Sequence, residues 1–333
     1  MPTVAIVGCA HIHAPSFFER IKKRSAFRVK SVWDHNEELG RRSAEELGAE
    51  FVADVSEIWS DPEIEVAIIL SETKLHEELV IPAAQAGKTL FVEKPLGMGV
   101  EDAARMESAI QEAGVFFSTG YFMRGFAVVQ MLKQLVDSGA FGQITRARGS
   151  NCHSGALGGW FDREYRWMAD LDQAGIGAFG DLGTHSLDLL LWMFGEVEAA
   201  TAVVGSGTNR YPGCDETGEG IIKFKNGVIA TLAAAWDDVA NPVTFQISGT
   251  EGHAIVINGE LFIKGCGFDG ADGKAPWKEL PEEVAAGYDG FLDALENKPG
   301  ADICTAAEAA YRSKVTEALY MGAREERWVK IEA

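Results

Sequence analysis

The side chains best suited to chemistry are a lysine and an aspartate–histidine pair, far apart along the chain. Lys94 stands in Glu93-Lys94-Pro95, directly after the apolar run Thr89-Leu90-Phe91-Val92. A short apolar run bounded upstream by Ala86-Gly87-Lys88 reads as a buried strand, so Lys94 is expected at its carboxyl end. That is where open α/β sheets bind ligands. A lysine held there can pass a proton to or from a substrate oxygen, whereas one facing solvent can do little. Asp181 and His185 are i and i+4 in Gly180-Asp181-Leu182-Gly183-Thr184-His185, at the start of an apolar helix that runs through Leu189-Leu190-Leu191-Trp192-Met193. Helical spacing puts both side chains on one face. An imidazole exchanges protons near neutrality, and a carboxylate one turn away can orient it. The same spacing also arises in solvated surface pairs, which contribute little, but the apolar context weakens that reading. A carboxylate and an imidazole can ligate zinc as well. No cysteine or second histidine sits at useful spacing from this pair, and no metal is expected.

The elements that must position these groups follow from the hydrophobic pattern. From residue 1 to about residue 120, strand-like and helix-like segments alternate. Strands are read at Val4 to Val7, Phe27 to Trp33, Val66 to Leu70 and up to Val92, with Phe51 between, and helices at 15–24, Glu37 to Leu47, Ser56 to Trp59 and Glu77 to Ala86. This βαβ rhythm implies a doubly wound parallel sheet covered on both faces. Beyond residue 125 a helix is expected from Val128 to Ser138, then strands at Ile144 to Asn151, Gly220 to Phe224, Val228 to Trp236 and Val243 to Ser248. Asn226-Gly227 is a hairpin signal. Locally connected strands imply an antiparallel sheet, packed on helices near 179–194 and 305–321. The chain is therefore read as α/β with two domains, over 1–122 and over 123–333.

The first strand runs into Gly8-Cys9-Ala10-His11-Ile12-His13, where a dinucleotide fingerprint places glycines at the first, third and sixth positions. Gly8 fits, Ala10 is a compromise and His13 departs from it. His11 and His13 could touch a cofactor or cap the following helix. Asp34, ending the second strand, could accept hydrogen bonds from both ribose hydroxyls of an adenosine and would repel a 2′-phosphate, which favours NAD over NADP. Arg41 and Arg42, further on, could serve a phosphate and keep NADP possible.

Charge and composition narrow the partners. The 333 residues are 47% hydrophobic, enough for a substantial core. With 50 acidic against 30 basic residues the net charge is −20, a field that repels nucleic acid and anionic membrane surfaces. No apolar run approaches the roughly 18 residues of a bilayer span, and the amino terminus lacks a basic secretory region. A cytoplasmic protein is expected, and the five scattered cysteines are read as reduced thiols. The loop at Asp269-Gly270-Ala271-Asp272-Gly273 lacks the later glutamate of a calcium loop.

Taken together, the strand–Gly8 start, Asp34, His76 with Ala84-Gln85-Ala86-Gly87-Lys88, Glu93-Lys94-Pro95-Leu96, the Gly120 to Arg124 crossover, Ser138 to Gly142, Asp181 to His185 and Ile247 to Gly252 resemble the Gfo/Idh/MocA oxidoreductases, the glucose-fructose oxidoreductase and inositol dehydrogenase-like group. The resemblance spans nearly the whole chain. It implies a Rossmann-type nucleotide-binding domain, then an α+β domain with a large, mostly antiparallel sheet, and a dinucleotide between them. By the same resemblance Lys94 is the lysine of the EKP motif, and Asp181 and His185 are the substrate-domain pair; the family assigns proton transfer to the lysine, the histidine or both. Where the family usually has Pro-Asn after the third long strand this chain has Ser71-Glu72-Thr73, which puts a carboxylate near the expected nicotinamide ribose.

The cofactor contacts expected are therefore Gly8, Ala10, His11, Ile12, His13, Asp34, Ser71, Glu72, His76, Glu93 and Lys94. Substrate contacts are expected from Lys94, Asp181 and His185, from Tyr121 and Arg124 at the crossover, and from Trp160, Arg163 and Tyr165. Aromatic faces can cover a sugar ring and arginines can bind hydroxyls or a carboxylate, although the same aromatics could fill core. The reaction these residues suggest is hydride transfer between a nicotinamide and a hydroxyl or keto carbon of a sugar, sugar acid or polyol. The alternatives are a lyase or glycoside-cleaving enzyme that uses tightly bound NAD transiently, and a dinucleotide sensor without turnover. Apolar residues on both faces of Val228 to Trp236 call for a second cover, which predicts a homodimer or homotetramer through the second sheet.

Overall fold

The computed structural model describes residues 1–332. The first half builds β1 (Thr3–Val7), α1 (Ala14–Lys22), β2 (Arg28–Trp33), α2 (Glu37–Leu47), β3 (Glu50–Phe51), α3 (Ser56–Ser60), β4 (Val66–Ile69), α4 (His76–Gln85), β5 (Thr89–Val92), α5 (Val100–Ala113) and β6 (Phe117–Thr119). The strands form one parallel sheet in the order β3-β2-β1-β4-β5-β6. β4 has no exposed residue and β1 and β5 are buried beyond their first, because helices cover both faces of a parallel sheet. Local signals end these elements. Asn36 accepts from the Leu39 amide to start α2, which stops at Gly48 in a left-handed conformation. Asp102 accepts from the amides of Met98 and Gly99 to start α5.

The rest of the chain comprises α6 (Ala127–Asp137), β7 (Ile144–Cys152), α7 (Gly155–Gly158), α8 (Leu171–Ala174), α9 (Ala178–Phe194), β8 (Val197–Gly205), β9 (Thr217–Phe224), β10 (Ile229–Ala235), β11 (Val243–Gly249), β12 (Gly252–Ile257), β13 (Glu260–Gly265), α10 (Gly287–Leu295), α11 (Ala306–Glu325) and β14 (Val329–Lys330). Eight strands make the second sheet, ordered β13-β12-β11-β7-β10-β9-β8-β14. Its pairings are antiparallel apart from β7 with β10, which run parallel at its centre. The sheet is thus mostly antiparallel, as expected, and its one parallel pairing is not local: α7, α8, α9 and two strands intervene between β7 and β10. Asn226-Gly227 does turn β9 into β10, with Gly227 at φ 91°.

α9 lies across one face of this sheet and is buried at every position but Trp192. The opposite face leaves Ile221 and Ile229 exposed. α10, late in the chain, packs on the first sheet: the Tyr288 ring lies 4.4 Å from Phe17 and 5.1 Å from Phe91. Among the described residues all five cysteines are free, and no helix is long and apolar enough to cross a membrane.

Candidate active site

Between β1 and β4 the strand order reverses, and the loops at their carboxyl ends, with that of β5, open toward the amino terminus of α9. This switch point is where a doubly wound sheet receives its ligand. Gly8 follows β1 at φ 78°, a conformation that L side chains avoid. A Cβ there would stand 2.5 Å from the Ser71 Cβ and 2.6 Å from the Ser71 backbone. The next amide, Cys9, donates to Asp34 Oδ2 at 2.6 Å, and the Asn36 amide donates to Oδ1 at 2.7 Å. Burial raises the Asp34 pKa, and these two amides work against that rise. Two buried oxygens beside this loop, Ser71 Oγ and Glu72 Oε2, have no protein partner. The left-handed glycine, the fixed carboxylate at the end of β2 and these unspent oxygens fit a dinucleotide.

β5 and α9 bring the expected catalytic groups together. Lys94 Nζ donates to Asp181 Oδ1 at 2.7 Å and to the Asp181 carbonyl at 3.2 Å. The indole of Trp236 donates to Asp181 Oδ2 at 3.1 Å. Burial opposes the Asp181 charge, but the adjoining Lys94 ammonium, helped by His185, holds its pKa at about 2. His185, one turn further along α9, is buried, and its Nδ1 has no protein partner. Burial first, and then the Lys94 charge, push its pKa down to about 3, so the imidazole is neutral near pH 7. These three groups share a cleft of about 220 Å³, whose walls include His13, Asn151, His153 and Trp160.

The remaining candidates divide by position. Ile12 and His13 reach the cleft, and His11 lies on its buried side with Lys94 and Asp181. The Ala10 carbonyl accepts from the Trp167 indole at 3.0 Å, tying the glycine loop to the second half of the chain. Glu93 is buried; burial opposes its charge, but the imidazoles of His11 and His13 and the Lys94 ammonium hold its pKa below the usual carboxylate range. His76 is buried and donates to the Leu96 carbonyl at 3.0 Å, and burial lowers its pKa. Glu72 accepts from His35 at 2.9 Å, and its charge lies near enough to Asp34 to add to the rise in the Asp34 pKa. Arg41 pairs with Glu37 and Arg42 with Glu164.

Among the substrate candidates, Trp160 is 51% exposed, stands in the cleft wall and lies 4.8 Å from the His153 ring. Tyr121 and Arg124 do not open onto that cleft. The Tyr121 hydroxyl is held by Thr184 at 2.9 Å, and Arg124 is committed to Asp188, Asp302 and Glu308. Arg163 and Tyr165 lie outside the cleft wall, Arg163 exposed and Tyr165 half-buried. The sequence reading missed Trp236, Asn151 and His153 as parts of the site. Trp236 directly follows β10, which packs against α9, and only that packing brings its indole to Asp181.

A Rossmann sheet whose switch point meets a Lys–Asp–His cluster across a cleft defines an oxidoreductase of the dinucleotide-binding class. Residues 3–121 match the model of the oxidoreductase family with an NAD-binding Rossmann fold, and residues 129–255 match the GFO/IDH/MocA C-terminal domain. The chain belongs to the Gfo/Idh/MocA oxidoreductase family, with an NAD-binding Rossmann domain. It is 30% identical over 256 residues to levoglucosan dehydrogenase of Pseudarthrobacter phenanthrenivorans, covering 69% of this chain and 65% of that protein. It is 30% identical over 229 residues to 1,5-anhydro-D-fructose reductase of Ensifer adhaerens, covering 68% of this chain and 67% of that protein. The matched stretches thus span about two thirds of these relatives' length. A solved levoglucosan dehydrogenase in complex with NADH and levoglucosan shares the fold, with a TM-score of 0.82, 23% identity and all of both chains covered.

Proposed function

We propose that this protein is an NAD-dependent dehydrogenase or reductase acting on a CH–OH carbon of a sugar, sugar acid or polyol. The observation that carries the reading is the convergence of Lys94, Asp181 and the His185 imidazole on one cleft at the carboxyl end of β5. Gly8 and the amides after it would hold the pyrophosphate, and Asp34 the adenosine ribose, with Asp34 and the nearby Glu72 carboxylate disfavouring a 2′-phosphate. NAD is therefore preferred to NADP. When bound, the nicotinamide supplies the hydride acceptor or donor.

The protein groups handle the proton. In oxidation, the substrate hydroxyl gives its proton to the neutral His185 imidazole. The oxygen left behind faces the Lys94 ammonium, a charge placement that favours the developing alkoxide over the neutral alcohol. Asp181 holds Lys94 in place, and its carboxylate stabilises the charge that forms on His185. Trp160 offers an aromatic face to the C–H side of a ring. The relatives named for levoglucosan and 1,5-anhydro-D-fructose support a sugar-like substrate.

The reading extends to a homodimer or homotetramer built on the uncovered face of the second sheet, where Val203 and Ile229 are exposed, and to a cytoplasmic setting supported by the free thiols. Purified protein is to be screened with NAD⁺ against polyols, pyranosides and uronic acids while absorbance of the reduced nicotinamide is followed. Accumulation of NADH with one of these supports the proposal. Substrate consumption without free NADH would replace it with the transient-redox reaction, and absence of any dinucleotide binding would overturn it.

A further inference from the structure

We propose that His11, His13 and Glu93 form a binding site for one divalent transition-metal ion of the zinc class. The three residues come from two strand ends, the β1–α1 loop and the end of β5, and their donor atoms lie within 4.8 Å of one another. His13 Nδ1 is 3.4 Å and His11 Nδ1 3.9 Å from the same carboxylate oxygen, Glu93 Oε1. Tetrahedral zinc with bonds of about 2.0–2.1 Å sets its ligand atoms roughly 3.3 Å apart. The His13–Glu93 separation already matches that spacing, the His11–Glu93 separation exceeds it by about 0.6 Å, and the widest separation in the cluster, up to 4.8 Å, would close by about 1.5 Å through side-chain rotation.

The surrounding bonds leave the right atoms free. Glu93 Oε2 accepts from the Lys94 amide at 2.7 Å, and Oε1 is turned to the two imidazoles. The Lys94 ammonium hydrogen-bonds Asp181 at 2.7 Å rather than Glu93, which leaves Glu93 Oε1 turned to the two imidazoles. His13 occupies the N-cap position of α1 yet makes no side-chain cap. His11 is fixed by its amide, which donates to the Leu70 carbonyl at 3.0 Å; its Nδ1 accepts from the His13 amide at 3.2 Å, a contact an ion would replace.

The site is also accessible. The His13 side chain is 43% exposed and lines the same cleft as His185, whose buried Nδ1 lacks a partner. Two imidazoles and a carboxylate, with the cleft beside them, match the three-ligand zinc site that keeps a fourth position for water or substrate. Imidazole donors select zinc, cobalt or nickel over magnesium and calcium. This inference does not rest on the proposed redox reaction.

The test is calorimetric titration of chelator-treated full-length protein with Zn²⁺ and Co²⁺, together with the absorption spectrum of the Co²⁺ form. One equivalent is expected in the wild type, with the intense ligand-field bands of four- or five-coordinate cobalt. His13→Ala should weaken binding by more than about 100-fold, since the loss of supporting groups alone costs 10–100-fold. His253→Ala, on β12, should leave it unchanged. Equal affinity of wild type and His13→Ala would overturn the proposal. If His13→Ala does not fold, X-ray absorption of the wild-type zinc form decides: a shell with two imidazoles supports the site, and a shell of oxygens alone refutes it.

Discussion

The Lys94 ammonium at the end of β5 lies 2.7 Å from the Asp181 carboxylate in the first turn of α9, so one buried ion pair joins the two sheets across the cleft. Asp181 gains from the helix amino terminus and from the Trp236 indole as well as from Lys94. Lys94→Ala removes the charge that would face a developing alkoxide. Turnover should fall on the order of 10²–10³-fold, the effect of losing one oxyanion donor. NAD binding, followed by nicotinamide fluorescence, should remain nearly intact. Equal loss of turnover and NAD affinity would make Lys94 a cofactor ligand instead.

His185 supplies a pH prediction with a definite sign. Its folded pKa is about 3 against 6.5 for an ordinary imidazole, chiefly through burial and then through the Lys94 charge. A group whose folded pKa is depressed contributes stability that is present above its unfolded value and is lost as pH falls toward its folded value. Between pH 6.5 and 3 the unfolded chain therefore takes up one more proton at this site, and stability declines by up to roughly 1.4 kcal/mol per pH unit. Urea midpoints measured across that window should fall less steeply for His185→Gln than for wild type. The same shift means that kcat/KM should show no limb near pH 6.5 from this residue. A clear His185-dependent limb there would contradict the neutral imidazole.

How much of this was legible in the sequence depends on whether the cause was local. β1, β4 and β5 are short apolar runs bounded by turn residues, and α2 carries its own cap and glycine stop, so these elements were readable. α9 was readable as an apolar helix, and its Asp181–His185 spacing followed. β6 is three residues long, and α10 begins with Gly287 and carries Gly290, both poor helix formers, which hid them. The parallel β7–β10 pairing and the indole of Trp236 on Asp181 depend on long-range packing. The approach of His11 and His13 to Glu93, about 80 positions away, depends on it too. Tyr121 and Arg124 were read at the crossover as substrate contacts, and residue type could not reveal that Thr184 and Asp188 engage their polar atoms.

Arg124 tests that distinction between positioning and recognition. Its guanidinium donates to Asp188 at 2.6 and 2.9 Å, and Asp188 also receives Arg312 at 2.8 Å. Both Arg124 and Asp188 are almost fully buried. Removing one partner strands a buried carboxylate that Arg312 only partly satisfies, so Arg124→Ala should destabilise the fold by about 3–5 kcal/mol. The KM of the surviving folded fraction should be unchanged. A raised KM with unaltered denaturant stability would restore Arg124 to the substrate site.

Gly8 offers the sharpest test of the dinucleotide loop. At φ 78° an alanine costs roughly 1–2 kcal/mol from its backbone alone. Its Cβ would also meet Ser71 Cβ at 2.5 Å and the Ser71 Cα and amide nitrogen at 2.6 Å. Gly8→Ala should therefore lower the melting temperature and weaken NAD binding together, because β1 and β4 must separate for the methyl to fit. Ser71→Gly in the Gly8→Ala background removes only one of the three close atoms, so it should not restore NAD affinity. Full recovery in that double variant would show that the side chain of Ser71, rather than the backbone of the switch point, sets how closely these strands approach.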